Sequence, residues 1–128
     1  MPAPAARAGD RVTALDSHII QPPGTTPPVV VPHPFSGIID GSVSSDVLIG
    51  GAGAATVGST ATNTPPHLPQ GGTFVTPPTN RGQILQGSST VLVNGKGLAR
   101  AGDQAQTCDD LGLITGVVVA AGTVLAGG

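Results

Sequence analysis

The chain has no tryptophan or tyrosine, two phenylalanines and a single cysteine, and only 9% of its 128 residues are charged. Each shortage excludes something. Without Tyr or Trp there are few platforms on which single-stranded nucleic acid stacks. The basic residues Arg7, Arg11, Arg81, Lys96 and Arg100 are scattered within a net charge of −2, so there is no cationic footprint for a nucleic acid of any kind. One cysteine, Cys108, cannot close an internal disulfide, which suits a cytoplasmic origin. The opening residues carry prolines, Arg7 and Asp10 where a signal peptide needs an apolar run, so none is expected. Long apolar stretches are also scarce. Residues 111–128 are uncharged and just reach membrane-spanning length. Their five glycines and the β-branched Val117-Val118-Val119 favour two strands joined near 120–122 instead.

Glycine (20) and proline (13) are plentiful and together make up about a quarter of the chain. That composition borders on the disordered class. Val, Ile, Leu and Phe supply about another quarter, and the low net charge leaves little self-repulsion. The expectation is one all-β, turn-dense domain over residues 1–128, with a modest core of small side chains.

One stretch occurs three times. Ala6-Arg7-Ala8-Gly9-Asp10 returns as Ala99-Arg100-Ala101-Gly102-Asp103, and Ala55-Thr56-Val57-Gly58-Ser59 is a worn third copy. Strand-like runs ending in glycine accompany them at 46–51, 90–95 and 123–128. Pseudo-repeats of about 4–53, 54–97 and 98–128 result. His18 lies nine residues beyond Gly9 and His67 nine beyond Gly58, a match independent of the motif itself. A polypeptide of three similar units can fold with approximate threefold symmetry and sit on a true trimer. The pattern predicts hairpins pairing 38–40 with 46–49, 83–85 with 90–93 and 114–119 with 123–125. Residues 21–34 and 63–80, dense in proline, read as stiff loops. The one helical hint, over 109–113, is weak.

His18, His33, His67 and Cys108 are all the imidazole and thiol donors of the chain. Three imidazoles and one thiolate make a full tetrahedral set for Zn²⁺, and four protein ligands leave no open position, so such a site is structural. The repeat sets His18 and His67 as mates with Cys108 in the corresponding arm, so three arms meeting at one pole, with His33 as fourth ligand, bring them together. A metal ties loops there where burial cannot. The plainer reading stands beside it: histidines after prolines face solvent, and Cys108 is a small buried apolar residue. Nothing frames a catalytic nucleophile, and Asp109 and Asp110, adjacent in sequence, tend to point apart. Residues 53–60 resemble a phosphate loop but carry Ser59 where its lysine belongs. Arg7–Asp10 and Arg100–Asp103 fit surface ion pairs of little worth or, better, turns in which Gly9 and Gly102 take positive φ and the aspartate bonds the following backbone.

Pro4-Ala5-Ala6-Arg7 followed by Gly9-Asp10, echoed by Leu98-Ala99-Arg100 with Gly102-Asp103, resembles the PAAR-repeat proteins. Thr90-Val91-Leu92-Val93-Asn94-Gly95 and Thr107-Cys108 extend the likeness over almost the whole chain. The resemblance implies a small conical β-protein that caps the trimeric, VgrG-like β-helical spike of a contractile injection system and sharpens it for puncturing a target envelope. Such systems include type VI secretion machines, phages and extracellular contractile particles. It also implies one structural zinc on His18, His33, His67 and Cys108, no enzymatic activity, and transient contact with the target membrane. An effector-cargo adaptor is the alternative role; with no extension beyond the cone, no fused toxin is expected. Thr56 and Ser59 depart from the family's Arg and Asp, so an essential chemistry is not expected of those positions.

Overall fold

Two-residue Gly-Gly and Asn-Gly turns, alternating side chains and small residues set the local structure. The computed structural model describes residues 2–128, and among them there is no helix. The strands are β1 (Ala3–Pro4), β2 (Arg11–Gln21), β3 (Val29–Gly41), β4 (Leu48–Ile49), β5 (Ala52–Gly53), β6 (Thr60–Asn63), β7 (Thr73–Phe74), β8 (Arg81–Ile84), β9 (Leu92–Val93), β10 (Lys96–Gly97), β11 (Gln104–Gln106), β12 (Gly116–Val119) and β13 (Leu125–Ala126).

Three antiparallel pairs, β2–β3, β6–β8 and β11–β12, form a small closed barrel: β3 joins β6, β8 joins β11, and β12 returns to β2. Closure leaves the sheet without free edges over this length. Three short ladders repeat with it: β4 with β5, β9 with β10, and β13 with β1. The third joins the two ends of the chain, so the circle of repeats closes.

The expected hairpins are therefore corrected. Residues 38–40 and 83–84 run in the barrel, and 48–49 and 92–93 turn back on residues just after them. The physical reason is turn chemistry. Gly50-Gly51 (φ 57° and 86°) and Asn94-Gly95 (φ 52° and 80°) are two-residue turns with positive φ at both positions, which match the twist of a hairpin. Residues 116–119 pair with β11 and β2, not with 123–125. Residues 109–112 make a turn rather than the start of a helix.

Much of the expected first loop is also strand, since β3 begins at Val29. Pro32 and Pro34 are tolerated because this part of β3 has β2 on one side only. Ser36, of the same parity, sends its N–H away from β2 to Asn63 Oδ1. The missing N–H groups of the prolines thus fall on an open edge.

At the centre the three repeat motifs bond in a cycle. Ala6 N–H donates to Ala99 O (2.8 Å), Ala99 N–H to Ala55 O (2.9 Å) and Ala55 N–H to Ala6 O (3.0 Å). All three methyl groups are fully buried. A turn follows each, with Gly9, Gly58 and Gly102 at φ 94°, 95° and 90°, where a Cβ is strained. In each turn a side chain accepts the N–H three residues back rather than the following one: Asp10 from Arg7 (3.0 Å), Ser59 from Thr56 (2.9 Å), Asp103 from Arg100 (2.8 Å). The worn copy keeps this bond with a hydroxyl. Arg100 also pairs with the Asp103 carboxylate (3.0 Å), whereas the Arg7 guanidinium reaches the Ile49 carbonyl (3.1 Å).

Above the ring, Val12, Ala61 and Ala105 with Ile39, Ile84 and Val118 fill the barrel; on its other side Ala5, Ala54 and Leu98 pack with Ile49, Val93 and Ala126. Each set takes one residue from each repeat. Only β2 and β3, 11 and 13 residues long, outrun the barrel, whose other strands have three or four.

The ring has no room for larger side chains. Ala55→Leu is expected to lower stability by about 1–3 kcal/mol through overpacking. Gly102→Ala, whose Cβ meets nothing within 4 Å, should lose about 1 kcal/mol through backbone strain alone. Urea denaturation measures both; an Ala55→Leu midpoint equal to wild type would contradict a close-packed axis.

Candidate metal centre

Beyond the barrel the long hairpin carries polar side chains inward. Along β2 the even-numbered Val12, Asp16, His18 and Ile20 are buried, and along β3 the odd-numbered His33, Phe35, Gly37 and Ile39. The register sets His33 directly across from Asp16. His18 thus comes from β2, His33 from β3, His67 from the segment between β6 and β7, and Cys108 from the segment after β11. The first three are buried and Cys108 is half-buried.

The three imidazoles touch one another, with ring centroids 4.9 Å apart for His18–His67, 5.3 Å for His18–His33 and 5.6 Å for His33–His67. Cys108 Sγ lies 3.7 Å from His18 Nε2. Asp16, His18, His67 and Cys108 each offer a donor atom within 4.8 Å of the others, a group able to hold a metal ion. His33 stands just outside that tight group. Both phenylalanines pack here, Phe74 against His18 and His33 (5.5 Å each) and Phe35 against His67 (6.0 Å).

Each ring is oriented by a partner. Asp110 Oδ1 is 3.1 Å from His18 Nδ1, and the Val31 carbonyl is 2.9 Å from His33 Nδ1. Both partners only accept, so a neutral ring carries its proton on Nδ1 and its lone pair on Nε2. His33 Nε2 is buried and has no hydrogen-bond partner. A buried lone pair without a partner is costly unless something binds it, and a cation would satisfy it. His67 Nε2 faces Asp16 Oδ2 at 3.0 Å, which leaves its lone pair on Nδ1. Its backbone N–H is held by Asn80 Oδ1 (2.8 Å), itself bonded to Asn63 Nδ2 (3.1 Å).

Asp16 is the residue that sequence reasoning missed. It is fully buried and accepts from Thr107 Oγ1, Cys108 Sγ (3.3 Å) and His67 Nε2. The signal was available: two residues before His18 on a strand is the same face. Asp109 and Asp110, set aside as pointing apart, both bond β2, at Ser17 N–H and Ile19 N–H (2.8 Å each).

Burial, reinforced by the Asp16 carboxylate, pushes the Cys108 thiol up to about 12. Burial likewise lowers His67, against the opposing pull of Asp16. Both groups are thus neutral near pH 7 without a metal. A bound cation reverses this balance, since it is the thiolate that ligates.

A family model described as the PAAR motif matches residues 75–128. No curated protein and no solved structure matches the chain. The match, to the family that the resemblance named, spans β8 to β13 and the copy around Arg100 and Cys108, while the literal Pro4-Ala5-Ala6-Arg7 lies outside it. PAAR proteins are structural spike tips of type VI secretion-like systems, not enzymes.

With metal stripped by a chelator at pH 8, Cys108 is expected to react with an alkylating agent at least ~100-fold more slowly than in the urea-unfolded chain, because so little of it is ionised. Asp16→Asn removes the carboxylate and should restore part of the rate. Alkylation at the unfolded rate in the native chain would contradict the buried, carboxylate-bonded thiol.

Proposed function

We propose that residues 1–128 form one PAAR-like domain that caps the trimeric, VgrG-like spike of a contractile injection system and serves as its rigid puncturing tip. The observation that carries this reading is the cyclic hydrogen bonding of Ala6, Ala55 and Ala99, which gives one chain a threefold axis. A monomer with such an axis can meet a homotrimer through three equivalent contacts.

The short ladders offer those contacts. Ile49, Val93 and Ala126 face inward, and the preceding Leu48, Leu92 and Leu125 are 58%, 59% and 59% exposed. Val47, Val91 and Val124 beside them are exposed too. Three matching apolar pairs at repeat-equivalent places suit a surface covered by a threefold partner. Closed β-pairing, proline-rich segments and a tied apex serve stiffness.

The ligands we assign to one structural Zn²⁺ are His18, His33, His67 and Cys108. The orphaned His33 Nε2 and the three touching rings support the set, and imidazole with thiolate is the donor chemistry of structural zinc. The bound ion would cross-link β2, β3 and the segments around His67 and Cys108, where apolar burial is thin.

Purified chain is expected to carry about one zinc by elemental analysis. Cys108→Ala should lower zinc affinity and the melting temperature while leaving spike binding intact; a variant matching wild type in zinc content removes Cys108 from the set. Replacing Leu48, Leu92 and Leu125 together with Asp should weaken binding to the trimeric spike at least ~10-fold, since exposed apolar anchors become charges. Unchanged binding by titration calorimetry would place the interface elsewhere.

A further inference from the structure

We propose that Asp110 is the positioning residue for His18, fixing which nitrogen of that ring is presented to the metal. The proposal rests on the reading of His18 and Cys108 as metal ligands.

One edge of β2 is interrupted. On its side away from β3, β2 is paired by β12 over residues 11–13 and by β7 at Ile20 and Gln21. Between them Leu15, Ser17 and Ile19 present N–H groups to no strand. Side chains take the strand's place: Thr115 Oγ1 accepts from Leu15 N–H (3.2 Å), Asp109 Oδ2 from Ser17 N–H and Asp110 Oδ2 from Ile19 N–H (2.8 Å each). Asp110 N–H answers to Ser17 O (2.8 Å).

Asp110 does one thing more than Asp109. Its second oxygen, Oδ1, meets His18 Nδ1 at 3.1 Å. The His18 side chain is fully buried and that of Asp110 nearly so. With Nδ1–H held, the lone pair of His18 is left on Nε2, which faces Cys108 Sγ. Cys108 lies only two residues before Asp110. One short segment therefore supplies the sulfur donor and aims the nearest nitrogen donor beside it. A carboxylate is needed, because both of its oxygens must accept. An amide satisfies either Ile19 N–H or His18 Nδ1–H, not both. A carboxylate behind a ligating imidazole also raises its basicity, and its loss commonly weakens metal binding about 10–100-fold.

The test compares Asp110→Asn with Asp109→Asn in the full chain. Both disturb an acceptor of the β2 edge, but only the first touches a histidine. Zinc affinity, measured by competition with a chromophoric chelator, should fall about 10–100-fold in Asp110→Asn and less than about threefold in Asp109→Asn. Nitrogen-15 NMR of the wild-type zinc form should show His18 protonated on Nδ1. Unchanged affinity in Asp110→Asn, or equal losses in both variants, would reduce Asp110 to an edge cap and overturn the proposal. If Asp110→Asn does not fold, the wild-type spectrum decides: a proton on Nε2 of His18 overturns it. A wild-type chain that takes up no zinc sinks the ligand assignment itself, and Asp110's role with it.

Discussion

The fold depends on a closed triangle of backbone hydrogen bonds among three alanines. A cyclic arrangement of this kind demands that three chain segments approach one axis at equal distance. Only small side chains allow it, which is why Ala6, Ala55 and Ala99 are all fully buried. Once the segments are fixed there, each must turn outward sharply. Gly9, Gly58 and Gly102 make that turn at positive φ, and each hands its N–H to a barrel strand, at Ile39 O, Ile84 O and Val118 O. The barrel and the short ladders thus inherit the threefold order of the axis.

This scheme explains why the chain manages with few large residues. A barrel closed by three hairpins of three to four residues beyond the ring encloses little volume, and Val12, Ala61 and Ala105 with three aliphatic partners fill it. Past that level only the β2–β3 hairpin continues, and Asp16, His18, His33 and His67 are buried there beside Ile20 and Phe35. Buried polar groups in such number need partners. Asp110, the Val31 carbonyl, Asp16 and the Asn63–Asn80 pair supply most of them. His33 Nε2 is the group left over.

Repetition was the legible part of the sequence. The Ala-x-x-Gly-x copies led to the threefold order and to the positive φ of Gly9 and Gly102, and the absence of helical periodicity led to the all-β class. Strand partners were less legible because two turn signals competed. Serine-rich 41–45 looked like a hairpin turn, but Gly50-Gly51 and Asn94-Gly95 close tighter ones, and β13–β1 pairing has no local signal at all. Proline also misled: Pro32 and Pro34 mark an open strand edge, not a loop. At the site, spacing singled out His18 and His67, yet Asp16 and Asp110 were passed over. Their roles come from strand parity and from a gap in a sheet edge, and neither shows until the pairing partners of β2 are known.

Symmetry and its breach have separate physical reasons. A true homotrimer places three identical side chains on its axis, so it can offer three histidines but not three histidines and one cysteine. A fused chain escapes that restriction. Its three arms share the alanine ring, where identity is useful, and then diverge. The first arm grows into the long hairpin with Asp16, His18 and His33, the second ends in the Asn-held segment of His67, and the third contributes Thr107 to Asp110. The assigned donor set of three nitrogens and one sulfur is reachable only because the arms differ. The end bearing the short ladders keeps its threefold form because, on the proposed reading, it faces a threefold partner. Selection for equality at one end and for difference at the other is reason enough for a single chain to hold three unequal copies of one motif.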